Sequence, residues 1–236
     1  MFLSIFTIKK YVVKSEKILV FLLDTPLIEN NTKFENYCFS TQNENYSSVC
    51  TNNCGFESCS HSKLMQKEIL ENINSNNLES YNLGIYSQNI EKEDFGIQRI
   101  DYLNAMKFVL SKIENSSNKS IVNISWNTNK LFESDCSNQD KEFTDLVSNI
   151  IKNNGTVVTS VGNNGVKNQI AFPSCVRGVI PVSSGYSNNI EDYANYSTNF
   201  DIKIVDGKSR FEEFYPNYGT SISASKYTNQ LIRNLQ

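Results

Sequence analysis

Three residues of this chain have the types and the order that acyl transfer by a serine requires. Ser221 follows Gly219-Thr220 at the start of a predicted helix, a position that exposes its hydroxyl as a nucleophile. Asp24 ends an apolar run, and His61 is the only histidine of the 236 residues. An imidazole can take the proton of a serine hydroxyl, and a carboxylate can hold the imidazole in the required tautomer. Asp, His and Ser occur in this order in one known form of the catalytic triad.

A fourth residue has the chemistry to stabilise the negative charge that such a reaction develops. Asn163 lies in the run Val161-Gly162-Asn163-Asn164-Gly165, just after a predicted strand. Its side-chain amide could donate to an oxyanion alongside the backbone N–H of Ser221. Each feature by itself has a plainer explanation, since turns, caps and structural histidines are common. The joint order, and the position of each residue at a predicted strand end or helix start, favour the catalytic interpretation.

The six cysteines allow a second interpretation of the segment before the histidine. Cys50, Cys54 and Cys59 together with His61 have the atom types of a zinc site. Their spacing is irregular and contains no Cys-x-x-Cys pair, so disulfides or ordinary thiols are favoured. A zinc ion on His61 would also remove the only imidazole base, so the two interpretations exclude each other. We predict no metal and no cofactor.

Composition narrows the classes of protein. A net charge of −3 without a basic stripe argues against a nucleic-acid partner. A hydrophobic fraction of 39% is enough for a substantial core. No apolar stretch approaches the roughly 20 residues of a membrane span, and no segment has the form of an export signal. These features predict a soluble protein without a membrane span, with a cytoplasmic location favoured over a secreted one.

Apolar patterning predicts alternating strands and helices. Residues 17–23 form a continuous apolar run, as in a strand of a parallel sheet that is covered on both faces. Further strands are predicted at 82–86, 120–125, 156–161, 179–183 and 201–205, and helices at 62–73, 101–113, 141–153 and 221–235. Asp101 is expected to cap its helix. The pattern predicts an α/β fold in one domain over residues 1–236, with a doubly wound, mostly parallel sheet and helices on both faces.

Several segments together resemble one family, the subtilisin-like serine peptidases. KILVFLLDTPLI at residues 17–28 is similar to the family's strand and Asp-Thr-Gly motif, and Ser60-His61 to the start of its His-Gly-Thr-His motif. IVNISW at 121–126 resembles the strand beside the substrate cleft, and GTVVTSVGNNG at 155–165 resembles the oxyanion segment. Gly219-Thr220-Ser221-Ile222-Ser223-Ala224 matches the nucleophile motif. The order of the segments covers nearly the whole chain.

The resemblance implies a role for each matching residue. Ser221 would be the nucleophile, His61 the general base, Asp24 the residue that orients it, and Asn163 the oxyanion donor. An extended peptide substrate would bind along a second group by strand addition. That group consists of Ser125, Trp126, Asn127 and Gly162, with Gly96-Ile97-Gln98 as the opposite edge.

The departures from the family pattern support an alternative function. Pro26 stands where the family has the glycine of Asp-Thr-Gly, and Asn127 stands in place of a cleft glycine. Ser225 and Lys226 stand where Pro and His usually follow the nucleophile. A catalytically inactive module that binds or regulates a partner is therefore the second hypothesis.

Overall fold

A computed structural model describes residues 17–26, 33–39, 56–85, 98–114, 116–187, 189–214 and 216–236. The strands in this part of the chain are β1 (Ile18–Asp24), β2 (Phe34–Phe39), β3 (Leu78–Ile85), β4 (Lys119–Ile124), β5 (Leu131–Phe132), β6 (Gly155–Ser160), β7 (Ile170–Ala171), β8 (Ile180–Tyr186), β9 (Asn189–Ile190) and β10 (Lys203–Val205). The helices are α1 (Phe56–Leu70), α2 (Arg99–Ile113), α3 (Lys141–Lys152) and α4 (Thr220–Leu235).

The main sheet is parallel except at one edge. Its strand order is β10-β8-β6-β4-β1-β3-β2, with β9 antiparallel to β8. Strands β5 and β7 form a separate antiparallel pair. Strand β1 lies at the centre, between β3 and β4, and all seven of its residues are buried. The continuous apolar run at residues 17–23 therefore forms a central strand, as its pattern predicts.

Two hydrophobic clusters cover the two faces of this sheet. One contains residues of α2 and α3, including Leu103, Met106 and Phe143. The other contains residues of α1 and α4, including Leu64 and Ile222. The predicted doubly wound α/β architecture is confirmed, because helices pack on both faces of a mostly parallel sheet.

Two local predictions about helix starts are wrong. Helix α1 begins at Phe56, so His61 lies inside this helix rather than before its start. Gln98 occupies the N-cap position of α2, and Asp101 lies in the first turn with its side chain buried. Asp140 instead caps α3, where its side chain accepts a hydrogen bond from the Phe143 N–H at 3.1 Å. Capping residues are hard to place from sequence because a carboxylate one turn inside a helix gives the same local pattern.

Disulfide chemistry accounts for the cysteines of the described residues. Cys136 and Cys175 form a disulfide across 39 residues, and Cys38 is also disulfide-bonded. Within the described ranges, no group of three potential metal ligands lies together. Cys50 and Cys54 of the alternative zinc interpretation lie outside the described residues, as does the side chain of Cys59. In the same part of the chain, no helix is long and apolar enough to cross a bilayer.

Candidate active site

The aspartate and the histidine form a direct pair. Asp24 is the last residue of β1, and His61 lies on α1 above the carboxyl end of that strand. The Nδ1 atom of His61 is 2.7 Å from Oδ1 of Asp24. The same carboxylate oxygen accepts the Thr25 N–H at 2.6 Å, which holds the carboxyl group against its own backbone. Nε2, the second imidazole nitrogen, therefore remains for proton transfer.

The environment of His61 favours the protonated ring. Burial alone would lower its pKa, whereas the negative charge of Asp24 and the hydrogen bond to it raise the pKa. The balance raises the pKa of His61 above its ordinary value of 6.5. The histidine side chain is still 37% exposed, which limits the effect of burial, while the Asp24 side chain is only 2% exposed. The carboxylate charge therefore outweighs burial, and the pKa of His61 is raised. An imidazole stabilised as its cation in this way suits a base that must hold a proton briefly.

Ser221 reaches the same edge of the sheet from the N-terminus of α4. Gly219 precedes it with a φ of +151°, a left-handed conformation that favours glycine. The Ser221 hydroxyl donates to the backbone carbonyl of Ser125 at 2.9 Å. Within the described ranges it makes no hydrogen bond to His61. The structure therefore brings Asp24 to His61 and Ser221 to Ser125, but it does not link the two pairs directly.

The side chain of Asn163 is held by the turn that carries Ser221. Its Oδ1 accepts from the backbone N–H and from the hydroxyl of Thr220, both at 2.9 Å. This contact uses Oδ1, and Nδ2 makes no hydrogen bond to any of the described residues. Gly162 has a φ of +101°, and an added Cβ would lie 2.5 Å from Nδ2 of Asn195, so only glycine fits there.

The predicted substrate-binding segment forms a wall between two strand ends. Ser125 follows β4, and its N–H already donates to the Leu23 carbonyl at 3.1 Å. Trp126 is buried and stacks on Tyr102 with ring centroids 5.0 Å apart, so it packs as part of the wall. The Asn127 amide reaches across to the hydroxyl of Ser160, at the end of β6, at 3.3 Å. Of the opposite edge, Gly96 and Ile97 lie outside the described residues, and Gln98 is exposed.

Sequence reasoning missed a residue that shapes the oxyanion segment. Asn195 is fully buried, and its Oδ1 accepts the backbone N–H groups of Asn164 and Val166 at 3.0 and 3.1 Å. Its Nδ2 donates to the Val161 carbonyl at 3.1 Å. The loop around Asn163 is thus held from below by one amide side chain. The segment around Asn195 resembles a short family motif, but its local pattern does not indicate which loop it would hold.

Comparison with solved structures places this arrangement among known folds. A cold-adapted subtilisin-like serine proteinase aligns over 93% of this chain and 75% of its own, with a TM-score of 0.65 and 15% identity. Sphericase aligns over 93% and 77%, with a TM-score of 0.67 and 13% identity. The fold is that of the subtilisin-like serine proteases. The protease domain of PatA, solved as a mutant, shares this subtilisin-like fold over 93% of this chain and 80% of its own, with a TM-score of 0.66 and 17% identity.

Comparison of sequences alone finds no relative, although comparison of structures finds the fold. No protein-family model matches the chain, and no curated protein sequence matches it significantly. The chain therefore shares the subtilisin-like fold at 13–17% identity to the solved structures compared above.

Proposed function

We propose that the protein is a serine endopeptidase that hydrolyses peptide bonds through an acyl-enzyme. The observation that carries the proposal is the hydrogen bond between His61 and Asp24 at the carboxyl edge of the sheet. The same edge holds the nucleophile turn of Ser221 and the amide of Asn163. In open α/β sheets, ligands bind at this edge. The substrate would be a protein or a peptide.

The chemistry uses one proton carrier and one nucleophile. The Ser221 hydroxyl oxygen attacks the carbonyl carbon of the scissile bond while Nε2 of His61 takes the hydroxyl proton. The imidazolium, stabilised by Asp24, then donates that proton to the departing amine nitrogen. Water, deprotonated by the same nitrogen, hydrolyses the ester and restores Ser221. The Asn163 amide and the Ser221 N–H would stabilise the oxyanion in both steps.

Substrate binding would also release the nucleophile. A peptide strand that pairs with the Ser125 carbonyl would compete with the Ser221 hydroxyl for that acceptor. Rotation about χ1 of Ser221 would then turn the hydroxyl toward His61. In free enzymes catalytic hydrogen bonds are often incomplete and tighten only when substrate is bound. The Ser125, Trp126 and Asn127 wall and Gly162 would provide the binding surface.

The second candidate is a catalytically inactive module that binds or regulates a partner. The observation that favours it is the Ser221 hydroxyl bound to Ser125 rather than to His61. If that contact persists with substrate present, no base can activate the serine. Among the solved structures with this fold are proteins described as maturation proteases, such as PagA at 14% identity and a TM-score of 0.61. By analogy with them, we favour an active enzyme that processes a dedicated substrate.

Covalent labelling with a fluorophosphonate separates the two candidates. Wild type should be labelled, Ser221→Ala should not, and Ser111→Ala, which changes a serine of α2, should be labelled like wild type. Mass spectrometry should place the label on Ser221. A wild-type protein that is folded and unlabelled would support the inactive module instead.

A further inference from the structure

Two buried asparagines lie at the same level in strands β3 and β4. Asn82 pairs with Leu22 on one side of β1, and Asn123 pairs with Leu22 on the other. Both asparagine side chains are fully buried. Residues in register on neighbouring strands point to the same face of a sheet. Because Leu22 packs in the cluster with α1 and α4, both asparagines point toward these two helices.

Asn82 connects the elements that carry Asp24 and His61. Its Oδ1 accepts the hydroxyl of Ser62, the residue after His61, at 2.9 Å. Its Nδ2 donates to the carbonyl of Thr25, the residue after Asp24, at 3.5 Å. The Ser62 N–H also donates to the Thr25 hydroxyl at 3.3 Å. One amide side chain therefore joins the end of β1 to the turn of α1 that bears the imidazole.

Asn123 makes the corresponding connection for the nucleophile. Its Nδ2 donates to the hydroxyl of Ser125 at 2.7 Å and to that of Ser225 at 3.4 Å. Its Oδ1 accepts the hydroxyl of Thr228 at 3.1 Å. Ser225 and Thr228 lie on α4, one and two turns after Ser221. The amide thus joins the strand end that receives the Ser221 hydroxyl to the helix that presents it.

The two connections also meet through the helices. The Ser225 hydroxyl donates to the sulfur of Met65, on α1, at 3.2 Å. A buried amide left without partners is costly, so each asparagine restricts its helix to positions that satisfy it. Within the sheet, Leu22 lies between the two asparagines and keeps the row apolar at its centre.

We propose that Asn82 and Asn123 are a pair of positioning residues, in which Asn82 places α1 for the Asp24–His61 pair and Asn123 places α4 for Ser221. The inference rests on the proposed peptidase function. Neither side chain lies among the residues proposed to contact substrate. Each acts through the hydroxyl groups of its own helix and through the strand end on its own side of β1.

Two readouts separate the two arms. The first is the pKa of His61, followed by NMR titration, which is unambiguous because the chain has one histidine. The second is the second-order rate constant for labelling of Ser221 by a fluorophosphonate. The variants are Asn82→Leu and Asn123→Leu, which keep the number and branching of the side-chain heavy atoms and remove the hydrogen bonds. Ser120→Ala is the control, because this buried β4 hydroxyl has no hydrogen-bond partner among the described residues.

Asn82→Leu should lower the pKa of His61, because the carboxylate is no longer held against the ring. Asn123→Leu should leave that pKa unchanged and reduce the labelling rate by about 10- to 100-fold, as expected for lost hydrogen bonds that fix a reacting group. Ser120→Ala should change neither readout. Asn82→Leu should also slow labelling, because His61 is the base for Ser221. An Asn123→Leu variant that lowers the pKa of His61, or folded variants that move neither readout, would overturn the inference.

If a leucine variant does not fold, variants of the residues that donate hydrogen bonds to the two asparagines replace it. Ser62→Ala should lower the pKa of His61, and Thr228→Val should slow labelling, each by less than its asparagine variant. If wild type is not labelled at all, the peptidase proposal fails separately. The His61 titration then still tests the Asn82 arm, and hydrogen exchange at the first amides of α4 tests the Asn123 arm. Unchanged values in both would overturn the inference.

Discussion

The two halves of the candidate site differ in how completely they are assembled. The half built from β1 and α1 is closed, because His61 and Asp24 already share a hydrogen bond of 2.7 Å. The half built from β4 and α4 is not yet connected to the first, because the Ser221 hydroxyl donates to the Ser125 carbonyl and not to His61. The proposed reaction requires a bond between the halves, which a rotation of the Ser221 side chain would have to supply.

This difference shows which parts of the site are set by the fold and which depend on substrate. The fold alone can hold the imidazole of His61 in its ion pair, because Asp24 lies at the end of β1, within hydrogen-bond distance of the ring. A nucleophile must exchange hydrogen-bond partners during the reaction, so its resting contact can differ from its reactive one. Activity should therefore depend on the charge of Asp24 in the first half and on the position of the Ser221 hydroxyl in the second half.

The largest expected effect is in the first half, from Asp24→Asn. Loss of the carboxylate charge removes the interaction that raises the pKa of His61, and burial, which lowers it, remains. We expect that pKa to fall below 6.5 and kcat to drop by about 10⁴-fold. NMR titration and initial-rate kinetics measure the two quantities. A pKa that stays at its wild-type value would show that the carboxylate does not control the ring.

The pH profile of the wild-type enzyme tests the same pair without mutation. His61 must be neutral to accept the proton of Ser221, and its pKa is raised in the folded protein. Activity should therefore increase with pH through an inflection above 6.5 and be lost below it. The inflection in kcat/KM should coincide with the NMR titration of His61. An inflection below the ordinary histidine value would contradict the assignment of the base.

The next effect concerns charge stabilisation beside the second half, by the Asn163 amide that contacts Thr220 of α4. Asn163→Ala removes the proposed oxyanion donor, and we expect kcat to fall by about 100- to 1000-fold with KM nearly unchanged. Thr220→Val is the matched control, because it removes only one of the two hydrogen bonds that orient the Asn163 amide. A larger loss for Thr220→Val than for Asn163→Ala would assign the effect to the turn rather than to the amide.

A fourth prediction separates stability from catalysis. The Cys136–Cys175 disulfide joins the segment after the substrate wall to the segment after β7. Replacing both cysteines by serine should reduce the free energy of unfolding by about 2–4 kcal/mol, measured by denaturant titration. The pKa of His61 should remain unchanged, because Cys136 and Cys175 lie on neither β1 nor α1.

The smallest effect is expected for Asn127→Gly. This change removes the amide that reaches Ser160 across the groove and opens the space between the ends of β4 and β6. KM for substrates with a bulky side chain at this position should decrease by up to about 10-fold. Labelling of Ser221 by a small fluorophosphonate serves as the control and should keep its wild-type rate. Equal changes in both would indicate a general loosening of the site.

Local patterns were enough to predict most of the fold. The apolar run of β1 and the alternation of strands and helices predicted the α/β sheet, because burial on both faces leaves a continuous apolar signal. The polar residues of β3 weakened that signal, so its start at Leu78 was missed. The boundary of α1 was also missed, because its first residues are not apolar on a regular face.

The sequence by itself predicted the residues of the candidate site and their place on the fold. Asp24, His61, Asn163 and Ser221 stand in a family order. Asp24 and Asn163 lie at or just after strand ends, Ser221 lies at a helix start, and His61 lies inside α1. Only the tertiary structure decided which atoms meet there. It places the Ser221 hydroxyl on Ser125, and Asn82 and Asn123 on either side of Leu22. Such contacts depend on strand register and side-chain rotamers between segments far apart in the chain, which no local pattern encodes.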